Sequence, residues 1–405
     1  AQNEMQLYTA AGEYFNALFK AMDGKGDYAD VDAKLDVLKA NQSASAGKLA
    51  VNKTKLKMEV SYNKMTIFKN AQYLYLLTSL LLLFTYVGRI VRNRAGSRGK
   101  VSIWLERIVI SIIVITFIYH GAGLGMRWYI SGHAPWSNGY EAVIFIGWIT
   151  VLVGFIFNKK NAIILPASAL LGFFMIFVTE MNILDPQITP LVPVLQSYWL
   201  MIHVAIITAS YGFLGLGCIL AIVNLFLYIF RSKKNGQEVT WNINELTYVS
   251  EMSQTIGLFM LTIGTFLGGV WANESWGRYW GWDPKETWAL VSVLVYAVVL
   301  HLRFIPALKS KFAFNVASLW SYTAILFTFF GVNFYLVGLH SYAQGEGLGT
   351  FPMGVLVAVI CFYVFTEIAA FLNKRFTTGA EEITAKYFLR KATILSVALI
   401  ICYVL

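Results

Sequence analysis

Between Trp271 and Val291 the chain reads WANESWGRYWGWDPKETWALV, and five of its 12 tryptophans fall there: Trp271, Trp276, Trp280, Trp282 and Trp288. A tryptophan offers a large apolar face and one N–H. Gly277 and Gly281 stand between the rings, and glycine lets a backbone approach a flat object closely. Such a surface suits a planar aromatic ligand. An aromatic belt at a membrane interface accounts for Trp271 and Trp288, at the ends of apolar runs, but not for WGRYWGWD between them. Asp283, Pro284 and Glu286 fit the N-cap, N1 and N3 positions of a capping box, with Asp in the usual Ser/Thr place, so a helix should open at Pro284. Five histidines, His120, His133, His203, His301 and His340, add imidazoles that can ligate a metal when neutral. Cys218, Cys361 and Cys402 lie inside apolar runs without a CxxC pair and read as small hydrophobes.

The elements that must position this loop are membrane helices. Of 405 residues, 57% are hydrophobic and 13% charged, against about 25% charge in a soluble domain. Mean hydropathy is +0.60. Ten apolar runs lie near 71–90, 103–120, 141–157, 162–180, 199–230, 254–272, 288–305, 314–339, 352–372 and 390–405. Runs of about twenty residues span a bilayer as helices, and the absence of alternating ten-residue segments argues against a barrel. The expected fold is therefore all-α: a polytopic membrane protein of about ten transmembrane helices. A soluble enzyme, a disordered chain and a disulfide-built secreted module are excluded. The net charge of +10 has a membrane explanation rather than a nucleic-acid one, because the cations gather in alternate connections. Arg89–Arg107, Lys159–Lys160, Arg231–Lys234, Arg303–Lys311 and Lys374–Lys391 mark one side. By the positive-inside rule, the loops near 121–140, 181–198, 272–287 and 340–351 are outer, as is the segment 1–70. Within that segment, Leu7, Ala10, Ala11, Tyr14, Phe15, Leu18 and Phe19 recur at helical spacing. Val31, Leu35 and Leu38 suggest a second helix, Gly24 and Gly26 a break, and NQSASAG (41–47) a linker. The expected division is an external helical segment, 1–70, and a transmembrane domain, 71–405. The chain starts with Ala and shows no signal-peptide pattern, and so reads as a piece of something longer.

The tryptophan loop resembles a known signature. W-G-x-x-W-x-W-D-x-x-E, here Trp276, Gly277, Trp280, Trp282, Asp283 and Glu286, is similar to the motif of the WWD haem-handling proteins of cytochrome c maturation. Within them the chain resembles the CcsA-type subunit, or the C-terminal half of a CcsB–CcsA fusion, of the System II cytochrome c synthase. RWYISGHAPWSNGYEA (127–142) is similar to that family's outer segment between early spans. The resemblance covers about 71–405. It implies a protein of the bacterial cytoplasmic (inner) membrane that carries haem b to an outer, periplasmic site. There the haem would be joined by thioether bonds to the CxxCH motif of apocytochrome c. It further implies haem lyase activity together with a CcsB-like part, with thiol-reducing proteins as further partners and the lipid bilayer as surroundings.

The family's two outer ligands flank the WWD segment, and His203 and His340 match them: one opens the fifth run on the outer side, the other closes the eighth. His301 lies 13 residues after Trp288, roughly 20 Å along a helix, in the inner half of the membrane. The resemblance makes it the histidine that receives haem there, with its partner histidine in the CcsB-like part. Trp276, Trp280, Trp282 and Gly277 would cradle the ring, while Asp283 and Glu286 would fix the loop. For the two propionates, Arg278 is the first candidate and Arg127 another, since Arg makes bidentate contacts to carboxylates. A solvated loop charge is the alternative for each. His120 and His133 flank the second outer segment, where two readings stay open: contact with haem or the loop, and simple packing. Two further functions are weighed. One is a haem chaperone that delivers haem without attaching it; the other is a secondary transporter, against which the lack of an internal repeat speaks.

Overall fold

The computed structural model describes residues 2–24, 26–46, 52–94, 100–181, 183–191, 195–340 and 353–374. It divides into two units, Ala1–Met65 and Thr66–Leu405. In the first, α1 (Gln2–Met22) and α2 (Tyr28–Ala46) form a helical hairpin, followed by α3 (Lys53–Met65). Ala17, Ala21 and Val31 are buried between α1 and α2, with Tyr14 and Leu18 packed against them. Gly24 takes a left-handed φ of 69° at the turn, as the sequence led us to expect of a break there. The expected linker at 41–47 is helical instead as far as Ala46. Its Gln and Ala are good helix formers, and the Ser43 hydroxyl donates to the Lys39 carbonyl rather than breaking the ladder.

The second unit is a bundle of α4 (Ile67–Val91), α5 (Lys100–Ser131), α6 (Gly139–Phe157), α7 (Ile164–Thr179), α8 (Tyr198–Phe230), α9 (Gly236–Trp276), α10 (Pro284–His301), α11 (Lys311–Leu326), α12 (Val332–Tyr335) and α13 (Met353–Asn373). No strand occurs among the described residues. Among the described residues, eight helical stretches are long and apolar enough to cross a membrane, and α7 is a shorter apolar helix. These nine correspond to the first nine apolar runs; the tenth, at 390–405, lies outside the described residues. The chain is an all-α, multi-pass membrane protein.

The hairpin of α8 and α9 is the spine. Gly217 of α8 and Gly257 and Gly264 of α9 face the opposite helix so closely that a Cβ would overlap Gln254, Leu214 and Ile207. Small residues at such a seam let membrane helices pack backbone to backbone. Asn224, Thr247 and Asn315 tie α8, α9 and α11 together by side-chain hydrogen bonds of 2.8–3.1 Å. Nearer the end that carries the tryptophan loop, Ile146, Tyr211, Leu214, Leu261, Tyr296, Tyr322 and Ile325 form a buried core drawn from α6 and α8–α11. The cation-bearing connections lie at the other end, where Asn235 donates to the Val91 carbonyl (2.8 Å) and Asn161 to Asn242 (2.9 Å).

Between α11 and α12 the helix widens into a single π-turn, Phe327–Gly331. The Thr328 hydroxyl there donates to the Trp288 carbonyl (3.1 Å) and meets Ser292 Oγ at 2.9 Å. This locks α11 and α12 to the first turns of α10 and directs the chain toward His340. A π-turn inside an α-helix often marks a functional site.

Candidate functional site: a tryptophan-walled cleft with two oriented histidines

The loops assigned to one side of the membrane converge. A cleft of about 1340 Å³, counting its open mouth, is lined by Ala134 and residues 136–139 leading into α6, Leu191 and Leu195, the start of α8, the end of α9, the tryptophan loop, the π-turn and His340. The buried Tyr211 forms part of its floor.

His203 is buried in the second turn of α8, and its Nδ1 lies 2.8 Å from the Trp199 carbonyl. A carbonyl accepts only, so Nδ1 carries the proton and the lone pair is on Nε2. Gly268 makes room for the ring: a Cβ there would stand 3.3 Å from His203 Cδ2. His340 Nδ1 donates to Asp283 Oδ2 at 2.7 Å, which selects the same tautomer. Burial pulls the His340 pKa below its ordinary value despite the neighbouring carboxylate, so the imidazole is neutral at pH 7, the state that ligates a metal. Burial works upward on Asp283, yet hydrogen bonds from His340 and the Leu339 N–H overcome it and hold the carboxyl below its usual range. A histidine whose second nitrogen donates to a carboxylate or carbonyl is the usual arrangement around protein-bound metals.

Asp283 does more than open a helix. The expected capping box is present: its side chain accepts from the Lys285 N–H (3.2 Å), and Glu286 accepts from the Asp283 N–H (3.3 Å) and the Gly281 N–H (2.7 Å). The carboxylate also accepts from the Leu339 N–H at 2.5 Å. A Cβ on Gly338 would lie 2.4 Å from Asp283 Oδ1, so this approach needs glycine. One residue thus caps α10 and holds the His340 segment, a link across more than fifty positions that spacing alone could not reveal. Replacing Asp283 by Asn keeps the shape and one acceptor oxygen, enough for the cap and His340, but removes the charge and the acceptor for the Leu339 N–H. Loss of such an orienting carboxylate typically costs 10–100-fold in metal affinity, and a loss of that size is the expected result if haem, the ligand the sequence resemblance implies, is titrated into the variant. Removing a group that raises the His340 pKa leaves the imidazole still more firmly neutral. The loss should therefore be the same at pH 7 and pH 8; a defect confined to the lower of the two would contradict this role.

The tryptophans divide differently from the expectation. Trp271, assigned by sequence to the interfacial belt, is 1% exposed. Helix α9 runs one turn further than the apolar run suggested, to Trp276, which places Trp271 inside the bundle against Leu195 and Leu200. Its ring stacks on His203 (centroids 5.4 Å apart, 26° between planes) and lies 5.7 Å from the ring of His340. Its buried Nε1–H has no hydrogen-bond partner. Trp276 meets both Trp271 (4.8 Å) and His340 (5.1 Å) edge-on. Trp280 and Tyr279 line the cleft. Trp282 is 71% exposed, has a left-handed φ of 56°, and does not line the cleft. Trp288 packs on Phe327, with centroids 4.2 Å apart. Gly277, at φ 72°, ends α9 as its left-handed cap, so it shapes the loop rather than seating a flat ligand.

The other sequence candidates scatter. Arg278 is exposed, lies over Gly281 and does not line the cleft. Arg127 is fully buried, with its guanidinium committed: Nε to Glu141 (2.7 Å), Nη1 to the Pro186 carbonyl (2.8 Å) and Nη2 to the Gln187 carbonyl (3.0 Å). It is thus turned away from the cleft, and it braces the outer loops that form the wall. His133 does the same, with Nδ1 3.2 Å from the Ala134 carbonyl and Nε2 3.4 Å from the Thr189 carbonyl. His120 does not flank an outer loop at all. Residues 121–131 continue α5, which buries His120 against Phe68 and Tyr75 of α4. His301 ends α10, exposed on the bundle's outer face and away from the cleft, with Nδ1 2.6 Å from the Ala297 carbonyl. Lys285, which was not among the sequence candidates, lines the cleft and donates to Asn333 (2.6 Å).

Residues 136–340 match the family described as cytochrome c assembly protein. The match starts at a cleft-lining tryptophan, ends at His340, and contains every lining residue but Ala134. The chain belongs to the cytochrome c assembly protein family. Among curated relatives, it is 41% identical over 315 residues to Protein NrfI of Wolinella succinogenes, an alignment covering 78% of this chain and 34% of that protein. It is 39% identical over 227 residues to cytochrome c biogenesis protein CcsA of Chlamydomonas reinhardtii (54% and 63% covered). It is 35% identical over 300 residues to CcsA of Guillardia theta (68% and 96% covered). The chain thus spans about a third of the length of NrfI and nearly all of the Guillardia CcsA. Membership of the family makes cytochrome c assembly its field of action. His120, His133 and Arg127 fall outside the matched residues.

Proposed function

We propose that the chain is the haem-handling part of a cytochrome c synthase. It presents haem b in the cleft to the CxxCH thiols of apocytochrome c, acting with a CcsB-like part. The observation that carries this reading is the pair of histidines lining one cleft, each with Nδ1 engaged by an acceptor so that Nε2 holds the lone pair. Two such imidazoles are suited to the axial positions of haem iron. The aromatic wall of Trp271, Tyr279 and Trp280 supplies apolar faces for a porphyrin. The unpartnered Trp271 N–H costs about 1–3 kcal/mol while unsatisfied, which a bound ligand can relieve. Trp276 supports this wall through His340. The cleft and the amino-terminal segment face outward, to the periplasm in the bacterial inner membrane.

Thioether formation adds each cysteine S–H across a haem vinyl group, with sulfur bonding to one carbon and hydrogen to the other. It releases nothing and needs no net oxidation. Among the described residues lining the cleft there is no cysteine, and the one acid, Glu286, is occupied by two backbone N–H groups. The protein's part is accordingly to position and desolvate the haem. With Glu286 so occupied and both histidines assigned to iron, no lining carboxylate or thiol among the described residues is left to move a proton; this also favours the delivery-only alternative, so the decisive experiment scores covalent haem. The chain is co-expressed with and without a CcsB-like partner, alongside a CxxCH reporter and thiol-reducing proteins. Covalent haem on the reporter supports the synthase, and haem-loaded chain with an unmodified reporter supports the chaperone.

His301 is the proposed receiving site within the membrane. An exposed imidazole on a membrane-facing helix is costly unless it has a ligand or a partner surface. His301→Ala is expected to purify with several-fold less haem, the remainder keeping the wild-type spectrum. A variant with full haem occupancy would remove His301 from the loading route.

A further inference from the structure

We propose that Lys285, rather than the exposed Arg278 or the buried Arg127, is the specificity residue that recognises a propionate of the porphyrin. This rests on the haem reading of the cleft. Among the described residues lining the cleft, Lys285 is the one Lys or Arg side chain. It stands at the second position of α10, one turn from Ala289 of the cleft wall and beside the Asp283 that holds His340. Its ammonium donates to Asn333 Oδ1 at 2.6 Å. Asn333 is itself fixed by donating to the Phe329 carbonyl (2.6 Å), in the π-turn. An ammonium has three donors, so one is spent on placing the group and others remain to be offered.

The neighbouring carboxylates have their oxygens engaged elsewhere, although the charge of Asp283 still acts on the ammonium. The Glu286 carboxylate accepts two backbone N–H groups, and Asp283 accepts from His340, Leu339 N–H and Lys285 N–H. The remaining lining is mainly apolar and aromatic. In such surroundings a carboxylate brought in with a flat apolar ring would be left uncompensated unless a cation met it, and a charge-assisted hydrogen bond to Lys285 would do so. Arg278 lies over Gly281, outside the lining, and Arg127 has its donors committed to Glu141 and two carbonyls. A single cation on one wall would also orient the ring, with the propionate edge toward α10 and α12 and the opposite, vinyl edge turned away from them.

The alternative is that Lys285 only ties α10 to α12. The two are separated by comparing haem with haem dimethyl ester, in which both propionates are neutral, titrated into the detergent-purified full chain and followed by absorbance. Wild-type chain is expected to bind haem about tenfold or more tighter than the ester. Lys285→Met should remove most of that preference by weakening haem while leaving the ester nearly unchanged, and Lys285→Arg should retain it. Equal weakening of both porphyrins by Lys285→Met would assign it the tying role and overturn the proposal. So would loss of the preference in Arg278→Met but not in Lys285→Met. If wild type binds both porphyrins equally, the propionate assignment alone fails; if it binds neither, the haem reading of the cleft fails with it.

Discussion

His203→Ala and His340→Ala are each expected to reduce covalent haem on a CxxCH reporter by at least tenfold, with partial recovery when imidazole is added. The expectation follows from how each ring is held. His203 is clamped to the Trp199 carbonyl and stacked on Trp271, and His340 is clamped to Asp283. A ring so constrained keeps one nitrogen aimed without losing entropy when a ligand arrives. Truncation to Ala leaves a space that imidazole can enter, but the free molecule must give up its own freedom to do so, so rescue should be incomplete. The two variants should differ in one respect. Removing His340 leaves Asp283 without one donor, though still bonded to Leu339 and Lys285 N–H, so the loop keeps its cap. Removing His203 exposes a face of Trp271 inside the bundle, so His203→Ala should be the less thermostable of the two. Full reporter maturation in both variants would remove the ligand assignment.

The second large effect is a contrast within the tryptophan loop. Trp271→Ala should destabilise the protein by about 3–5 kcal/mol, as truncation of a buried aromatic does, and should cost most of the haem retained through purification. Trp282→Ala should change stability within about 0.5 kcal/mol, as an exposed side chain would, and leave haem retention nearly unchanged. Trp280→Ala, which loses a cleft wall without opening the core, should retain stability but lose haem. Thermal unfolding and haem content of the three purified variants check this order. Equal tolerance at all three positions would return the loop to the role of an interfacial belt.

That order reverses what the sequence suggests for Trp271 and Trp282, and the reason is instructive. Hydropathy located the helices well, because a span must be apolar for about twenty residues and its flanks carry the cations. It located their ends poorly. The end of α5 reads GMRWYIS and the end of α9 ANESW, polar enough to look like loop, yet both continue as helix. Those extra turns move His120 from an outer loop to the bundle interior and Trp271 from the interface to the core. The capping box at Asp283 was legible because it is local, with all its members within four residues. The bonds from His340 and Leu339 to the same carboxylate were not, since they depend on where the π-turn aims the chain. Sequence reasoning named Arg127 as a further candidate for the propionates, put Arg278 ahead of it, and gave Lys285 no role. Burial against Glu141 removes the first, exposure the second, and a cleft-facing position singles out the third.

The most direct measurement is the absorption spectrum of the detergent-purified full chain loaded with haem, for wild type and for His203→Ala and His340→Ala. Two neutral imidazoles on one iron should give low-spin, six-coordinate haem in wild type. Each single variant should shift to a high-spin or five-coordinate spectrum that imidazole reverts. Unchanged low-spin spectra in both variants would contradict the placement of haem between these two histidines.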